Sequence, residues 1–133
     1  CIRNMMAVGV KPSKIVLGTA FYGKGRVVKS TDNNGLYQIP VPVRRWLGGG
    51  YSYLKDSVVN KKGFTRYWDA ESKAPYLFNA DQKAFITYDD EESTRIKCEY
   101  ILKNKLAGIM FWEYFADQKH YLLNEINKSF GYK

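Results

Sequence analysis

With 133 residues, 45% of them hydrophobic and 26% charged, the chain has the length and composition of one ordinary folded domain. No apolar run approaches a membrane span, so no membrane partner is expected. The net charge is +8, from 21 basic and 13 acidic residues. The basic residues are scattered and cluster only as pairs, Arg44-Arg45 and Lys61-Lys62, so a solvated surface is expected rather than a nucleic-acid partner.

The chain starts Cys1-Ile2-Arg3-Asn4, with neither an initiator Met nor a signal peptide, and reads as the interior of a longer protein. Residues 1–10 read as the tail of a helix carrying Ile2, Met5 and Met6 and ending near Gly9. Pro12 and Ser13 make a turn. Lys14 to Tyr22 (KIVLGTAFY) then reads as one buried strand, with Val16, Gly18, Ala20 and Tyr22 on one face.

From Gly23 to about Thr87 glycine, proline and aromatic residues recur in short bursts. That texture fits short antiparallel strands or an α+β subdomain. Phe64–Trp68 and Ala74–Phe78 are two predicted strands, and Arg44 to Leu54 holds a short helix or a turn. Gly48-Gly49-Gly50 reads as a flexible turn rather than a phosphate cradle. Residues 27–86 are expected to form a compact insertion with its own aromatic core, including Trp68, Tyr76 and Phe78.

Asp89-Asp90-Glu91-Glu92-Ser93 places capping groups and acids at a helix start, where the helix dipole favours them. That helix is predicted to reach about Lys105, with Ile96, Tyr100, Ile101 and Leu102 as apolar residues. Cys98 shares helical spacing with Ile101 and Leu102 and reads as a buried free thiol rather than a partner for Cys1. Leu106 to Tyr114 (LAGIMFWEY) is a short apolar run behind a glycine, suited to a strand buried on both faces of a parallel sheet. Gly108, Met110 and Trp112 share one face. Ile109, Phe111 and Glu113 share the other, which turns Glu113 toward the surrounding helices and away from Trp112. Asp117 caps a last helix carrying Leu122, Leu123, Ile126 and Phe130 and stopped by Gly131. The order of elements is that of a βαβ unit with an insertion.

Chemistry points to the strand ends. An exposed indole at Trp112 can stack on the apolar face of a pyranose. Tyr22 and Lys24 can donate hydrogen bonds to hydroxyl or acetamido oxygens. The same aromatics would serve equally as core. Trp68, with Asp69 beside it, and Tyr76 stand either as a second sugar surface or as core of the insertion. The acids at 89–92 read as a helix start rather than a metal or acid/base site. His120, the only histidine, is expected exposed in the first turn of the last helix. There is no Ser-His-Asp spacing, phosphate loop or Cys/His metal set, so neither a cofactor nor a metal is expected.

Together these motifs resemble the C-terminal part of glycoside hydrolase family 18, the chitinases and chitinase-like proteins. Lys14-Ile15-Val16-Leu17-Gly18-Thr19-Ala20-Phe21-Tyr22-Gly23-Lys24 is similar to the family's strand-seven motif K-[IL]-V-L-G-x-P-x-Y-G-R. Thr87-Tyr88-Asp89-Asp90-Glu91-Glu92-Ser93 is similar to its [SG]-[YF]-D-D-x-x-S helix start. Gly108-Ile109-Met110-Phe111-Trp112-Glu113 is similar to its strand eight, G-x-M-x-W-E. Asn34-Gly35-Leu36-Tyr37-Gln38, Tyr67-Trp68-Asp69 and Ala74-Pro75-Tyr76-Leu77 resemble the α+β insertion domain of bacterial members.

The resemblance implies an α/β fold. Residues 1–26 and 87–133 would be the last two strands and flanking helices of a (β/α)8 barrel, and residues 27–86 the chitinase insertion domain. It implies that Trp112 floors the subsite holding the distorted sugar and that Tyr22 and Lys24 contact substrate. Lys24 replaces the family's arginine, a point charge for a planar bidentate donor, and Ala20 stands where proline is usual. The family's acid motif D-x-x-D-x-D-x-E and its strand-six M-x-Y-D are absent, and a full barrel takes roughly 250 residues.

The chain therefore reads as the C-terminal fragment of a chitinase acting on β-1,4-linked N-acetylglucosamine polymers, inactive alone. The parent would retain configuration through the substrate's own acetamido group. It would be secreted, periplasmic or on the cell surface. Chitin or N-acetylglucosamine oligosaccharides are the implied ligands. A non-catalytic chitinase-like carbohydrate-binding protein is the alternative, decided by strand-four residues. Two barrel strands alone leave open edges. Self-association is the expected remedy, and folding of the insertion over the sheet is the other.

Overall fold

The computed structural model describes residues 2–42 and 47–132. Cys1, the Arg44-Arg45 pair and the start of the helix or turn expected from Arg44 lie outside the described residues. The chain runs α1 (Ile2–Ala7), β1 (Val16–Ala20), β2 (Tyr22–Val28), β3 (Pro40–Val41), β4 (Gly48–Gly50) and α2 (Tyr51–Ser57). It continues β5 (Thr65–Asp69), β6 (Ala74–Asn79), β7 (Ala84–Thr87), α3 (Glu91–Asn104), β8 (Gly108–Trp112) and α4 (Tyr121–Phe130).

Two sheets result. β1 and β8 form a parallel pair, in register from Val16 opposite Gly108 to Ala20 opposite Trp112. An antiparallel sheet has the order β3-β2-β7-β6-β5, with β4 pairing β2 as well. The strand expected over Lys14–Tyr22 is thus two strands. Pro12–Lys14 is a 3-10 turn, and the chain changes sheets at Phe21. The Phe21 N–H donates to the Trp112 carbonyl at 2.8 Å, and its own carbonyl accepts from the Tyr51 N–H at 2.8 Å. Its ring is buried and stacks flat on Phe111, with centroids 4.5 Å apart. The antiparallel strands therefore begin at Tyr22, ahead of position 27.

The parallel pair was expected to be buried on both faces, and it is covered on one. Phe111 and Ile109 pack into the core with Phe21, Cys98, Leu122 and Ile126 from the helical side. On the other face Val16, Met110 and Trp112 are 54%, 52% and 64% exposed. An apolar residue suits a buried strand whether or not this chain supplies its cover, so the pattern alone could not tell the two faces apart. The antiparallel sheet does not fold back over the bare face.

The helix signals act as expected, with adjustments. Asp90 caps α3: its carboxylate accepts from the Ser93 N–H at 3.0 Å, and the Asp90 N–H donates to Ser93 Oγ at 3.0 Å. The last helix is capped at a distance. The Asp117 carboxylate accepts from the backbone N–H groups of Tyr121, Leu122 and Leu123 at 3.0, 2.8 and 3.1 Å. His120 occupies the cap position in left-handed conformation. Gly131, also left-handed, ends α4 as its residue type predicts. Cys98 is buried and free, and burial raises its thiol pKa.

The antiparallel sheet has an aromatic cluster of its own. Val28, Tyr76 and Phe78 are buried there, with Leu36, Tyr67 and Phe85 packed against them. The rings of Tyr67, Tyr76 and Phe85 stack at 5.4 and 5.1 Å. Trp68 is not in this cluster; it is half-buried, with the Arg66 guanidinium 5.4 Å over its ring. Gly48-Gly49-Gly50, expected as a flexible turn, is β4, paired to Tyr22–Lys24. Gly48 and Gly49 hold φ of 124° and 144°, and a Cβ on Gly48 would collide with the Gly23 carbonyl oxygen. Glycine is required there by both conformation and close approach. Gly48→Ala is expected to destabilise the chain by about 2–3 kcal/mol, read as a lowered urea midpoint with unchanged slope.

Candidate functional site

The change of sheet at Phe21 sets the geometry of the candidate site. Ala20 lies opposite Trp112 in the parallel pair, and two residues later Tyr22 opens β2. Trp112 ends β8 with its indole 64% exposed on the bare face. Tyr22 and Lys24 share one face of β2, with Lys24 Nζ 5.5 Å over the Tyr22 ring. Their neighbours on β4 are Gly50 and Gly48. The backbone of Ala116 packs against Gly50, and on the other side of β2 Lys24 lies opposite Thr87 of β7. Tyr22 follows the end of the parallel pair at which Trp112 stands, and Lys24 lies two positions further along β2.

Glu113 does not turn into the helices. The strand stops at Trp112, and Glu113 is exposed at the start of the 3-10 turn Tyr114–Asp117. Around that turn Tyr114 and Phe115 are 48% and 75% exposed and meet edge to face. His120 is half-buried rather than exposed, and its Nε2 lies 2.9 Å from the Tyr114 hydroxyl.

Trp68 lies on β5 at the edge of the antiparallel sheet, whereas Tyr76 shares a cross-strand row with Lys24, both opposite Thr87. Trp68 lies opposite Pro75, while Tyr76 lies opposite Tyr67. Adjacent positions on a strand face opposite ways, so the two rings lie on different faces. Tyr76 is 6% exposed within the aromatic cluster, and burial raises its hydroxyl pKa.

The four acids at 89–92 are all engaged, by three cations between them. Asp89 Oδ2 accepts from Thr19, Ala20 and Lys97. Asp90 pairs with Arg66 at 2.7 Å, and the same guanidinium reaches Glu92 at 2.8 Å. Glu91 accepts from the Tyr51 hydroxyl and pairs with Lys55. Burial opposes ionisation of Glu91, but Lys55 and Tyr51 outweigh it and hold the carboxyl below its ordinary value. Burial, with Glu91 alongside, pushes the Tyr51 hydroxyl well above its own. Among the described residues no group of three or more His, Cys, Asp or Glu side chains is placed to hold a metal ion.

Sequence reasoning missed Asp89's tie to β1, the Arg66 bridge and the glycine strand. The first two join positions far apart in the chain, and no local spacing signals them. The glycine triplet carried a signal that went unused: small residues can mark close backbone approach as well as a turn.

The family model described as "Glycosyl hydrolases family 18" matches residues 1–117. The chain is similar to chitinase A1 of Niallia circulans, 42% identical over 129 residues, which is 93% of this chain and 18% of that protein. It superposes with a TM-score of 0.87 and 41% identity on a glycoside hydrolase family 18 N-acetylglucosaminidase from Paenibacillus barengoltzii, covering 96% of this chain and 37% of that one. For chitinase ChiW from Paenibacillus sp. str. FPU-7, a cell-surface-expressed multi-modular enzyme, the TM-score is 0.91 at 37% identity, over 99% of this chain and 15% of that one. The chain thus spans well under half the length of each of these relatives.

The charge network at α3 has a pH signature. The folded-state pKa of Glu91 is lowered from 4.5. The stability it contributes is therefore fully present above about pH 4.5 and is lost as pH falls through the lower folded value. Glu91→Gln should be less stable than the parent chain at pH 7, and the gap should shrink steadily below about pH 4.5. Urea titrations at several pH values read this directly.

Proposed function

The chain belongs to glycosyl hydrolases family 18, and from that premise we propose that it supplies sugar-binding surface to a chitinase. The substrate class is β-1,4-linked N-acetylglucosamine polymer. The observation that carries this reading is the exposed Trp112 at the C-terminal end of β8, opposite Ala20, with Tyr22 two positions further along the chain and Lys24 over the Tyr22 ring. In α/β barrels that end of the strand handles ligand. The indole offers a flat apolar floor for a pyranose ring. The Lys24 ammonium and the Tyr22 hydroxyl are donors for ring hydroxyls and acetamido oxygens. Trp68 and Tyr76 are not part of this platform: Tyr76 belongs to the aromatic cluster, and Trp68 carries Arg66.

The acid comes from elsewhere in the catalytic domain. No D-x-D-x-E occurs in the sequence, and the carboxylates at 89–92 are engaged by Lys97, Arg66 and Lys55. The two parallel strands are the last two of a barrel whose remaining strands lie outside this chain. Three features support that: the bare face of Val16, Met110 and Trp112, a groove along the β1 edge lined by Ile2, Lys14, Val16 and Tyr100, and one along the β8 edge lined by Leu106, Ile109 and Phe130. A secreted or cell-surface parent follows from the substrate, a polymer met outside the cell.

The purified chain is expected to bind the N-acetylglucosamine trimer by calorimetry and to release no product from it. Trp112→Ala should weaken binding about tenfold or more, the worth of one stacked and buried ring. Binding indifferent to that substitution would contradict the platform. Turnover abolished by Glu113→Gln would place the chemistry in this chain instead.

A further inference from the structure

Asp89 precedes the α3 cap by one residue, and its carboxylate is aimed at β1. It is 7% exposed. Its Oδ2 accepts from Thr19 Oγ1 at 3.0 Å, the Ala20 N–H at 3.0 Å and Lys97 Nζ at 2.6 Å. Its Oδ1 accepts from Ser93 Oγ at 3.0 Å. Thr19 and Ala20 are the last two residues of β1.

Successive N–H groups of a strand point to opposite edges. The Phe21 N–H points to β8 and reaches the Trp112 carbonyl. The Ala20 N–H points to the outer edge, where a further strand would offer a carbonyl. Asp89 takes that place with a carboxylate, a stronger acceptor, its charge matched by Lys97. One residue further, after the Phe21 N–H has met Trp112, the chain leaves the parallel pair. The apolar pattern of KIVLGTAFY offers no reason to stop there, so the stop is imposed from outside the segment.

We propose that Asp89 is a positioning residue for sugar binding: it fixes where the chain leaves the parallel pair, and so fixes Tyr22 and Lys24 relative to Trp112. The proposal rests on the sugar-binding reading of those three residues. Asp90 supplies the control. It caps the same helix and pairs with Arg66, so its side-chain hydrogen bonds go to Ser93 and Arg66 rather than to β1.

The test compares Asp89→Asn with Asp90→Asn in the whole 133-residue chain, by calorimetry with the N-acetylglucosamine trimer, thermal melting and amide hydrogen exchange. Asp89→Asn should weaken trimer binding about tenfold, as for loss of one charge-assisted hydrogen bond. Exchange at Ala20 and Phe21 should speed up by a similar factor while Leu77 and Ile86 stay protected. Asp90→Asn should lower the melting temperature yet keep affinity within about twofold.

Equal loss of affinity in the two variants, in step with their melting temperatures, would reduce Asp89 to a structural residue and overturn the proposal. So would unchanged exchange at Ala20 and Phe21 in Asp89→Asn. If Asp89→Asn does not fold, Thr19→Val removes a single donor and should give about a threefold loss; no loss overturns the proposal. If the parent chain binds no trimer, the sugar-binding reading fails by itself. The exchange comparison then still decides, faster exchange upholding Asp89's hold on the break and unchanged exchange overturning it.

Discussion

A backbone has two hydrogen-bonding edges, and a strand leaving one sheet for another must exchange its partners without stranding a buried donor. That exchange happens at Phe21. One peptide group still closes the parallel pair through the Trp112 carbonyl, while the next already holds the start of α2 through Tyr51. The Phe21 ring, flat on Phe111, anchors the crossing in the core beneath both sheets. The positions of Trp112 on one sheet and of Tyr22 and Lys24 on the other both follow from this crossing. The site is a consequence of the seam rather than of either sheet.

Charge reinforces the seam. Four successive acids would repel if left together. Here they are drawn to three other elements: Asp89 to β1, Asp90 and Glu92 to Arg66 on β5, and Glu91 to Lys55 on α2, with Lys97 also pairing Asp89. The dipole of α3 favours negative charge at the same place. Asp89 and Asp90 are the largely buried members, and removing Lys97 or Arg66 would leave an uncompensated charge there. Exposed pairs such as Arg95 with Glu99 contribute little by comparison.

Much of this was legible in the sequence, where local chemistry decides. Asp90, Gly131 and the apolar spacing of α3 and α4 located both helices to within a few residues. The alternation in GIMFW placed Ile109 and Phe111 inward and Trp112 on the other face. The motifs around Tyr22 and Trp112 put both residues at strand ends, where β2 opens and β8 closes. Contacts across the chain were hidden. The Ala20 N–H at the break is met by Asp89, 69 positions away. The glycine triplet looks like a turn until β2 is placed against it. Trp68 and Tyr76 looked alike as aromatic residues, and only the register of β5 on β6 sets them on opposite faces.

The central claim is that the seam presents one sugar platform. The direct test is a backbone and indole chemical-shift titration of the chain with the N-acetylglucosamine trimer. Shifts should concentrate at the Trp112 indole N–H, at Tyr22 through Lys24 and at Gly48 through Gly50, with Trp68 and Tyr76 unmoved. Shifts centred on Trp68 and Tyr76, with Trp112 silent, would contradict it.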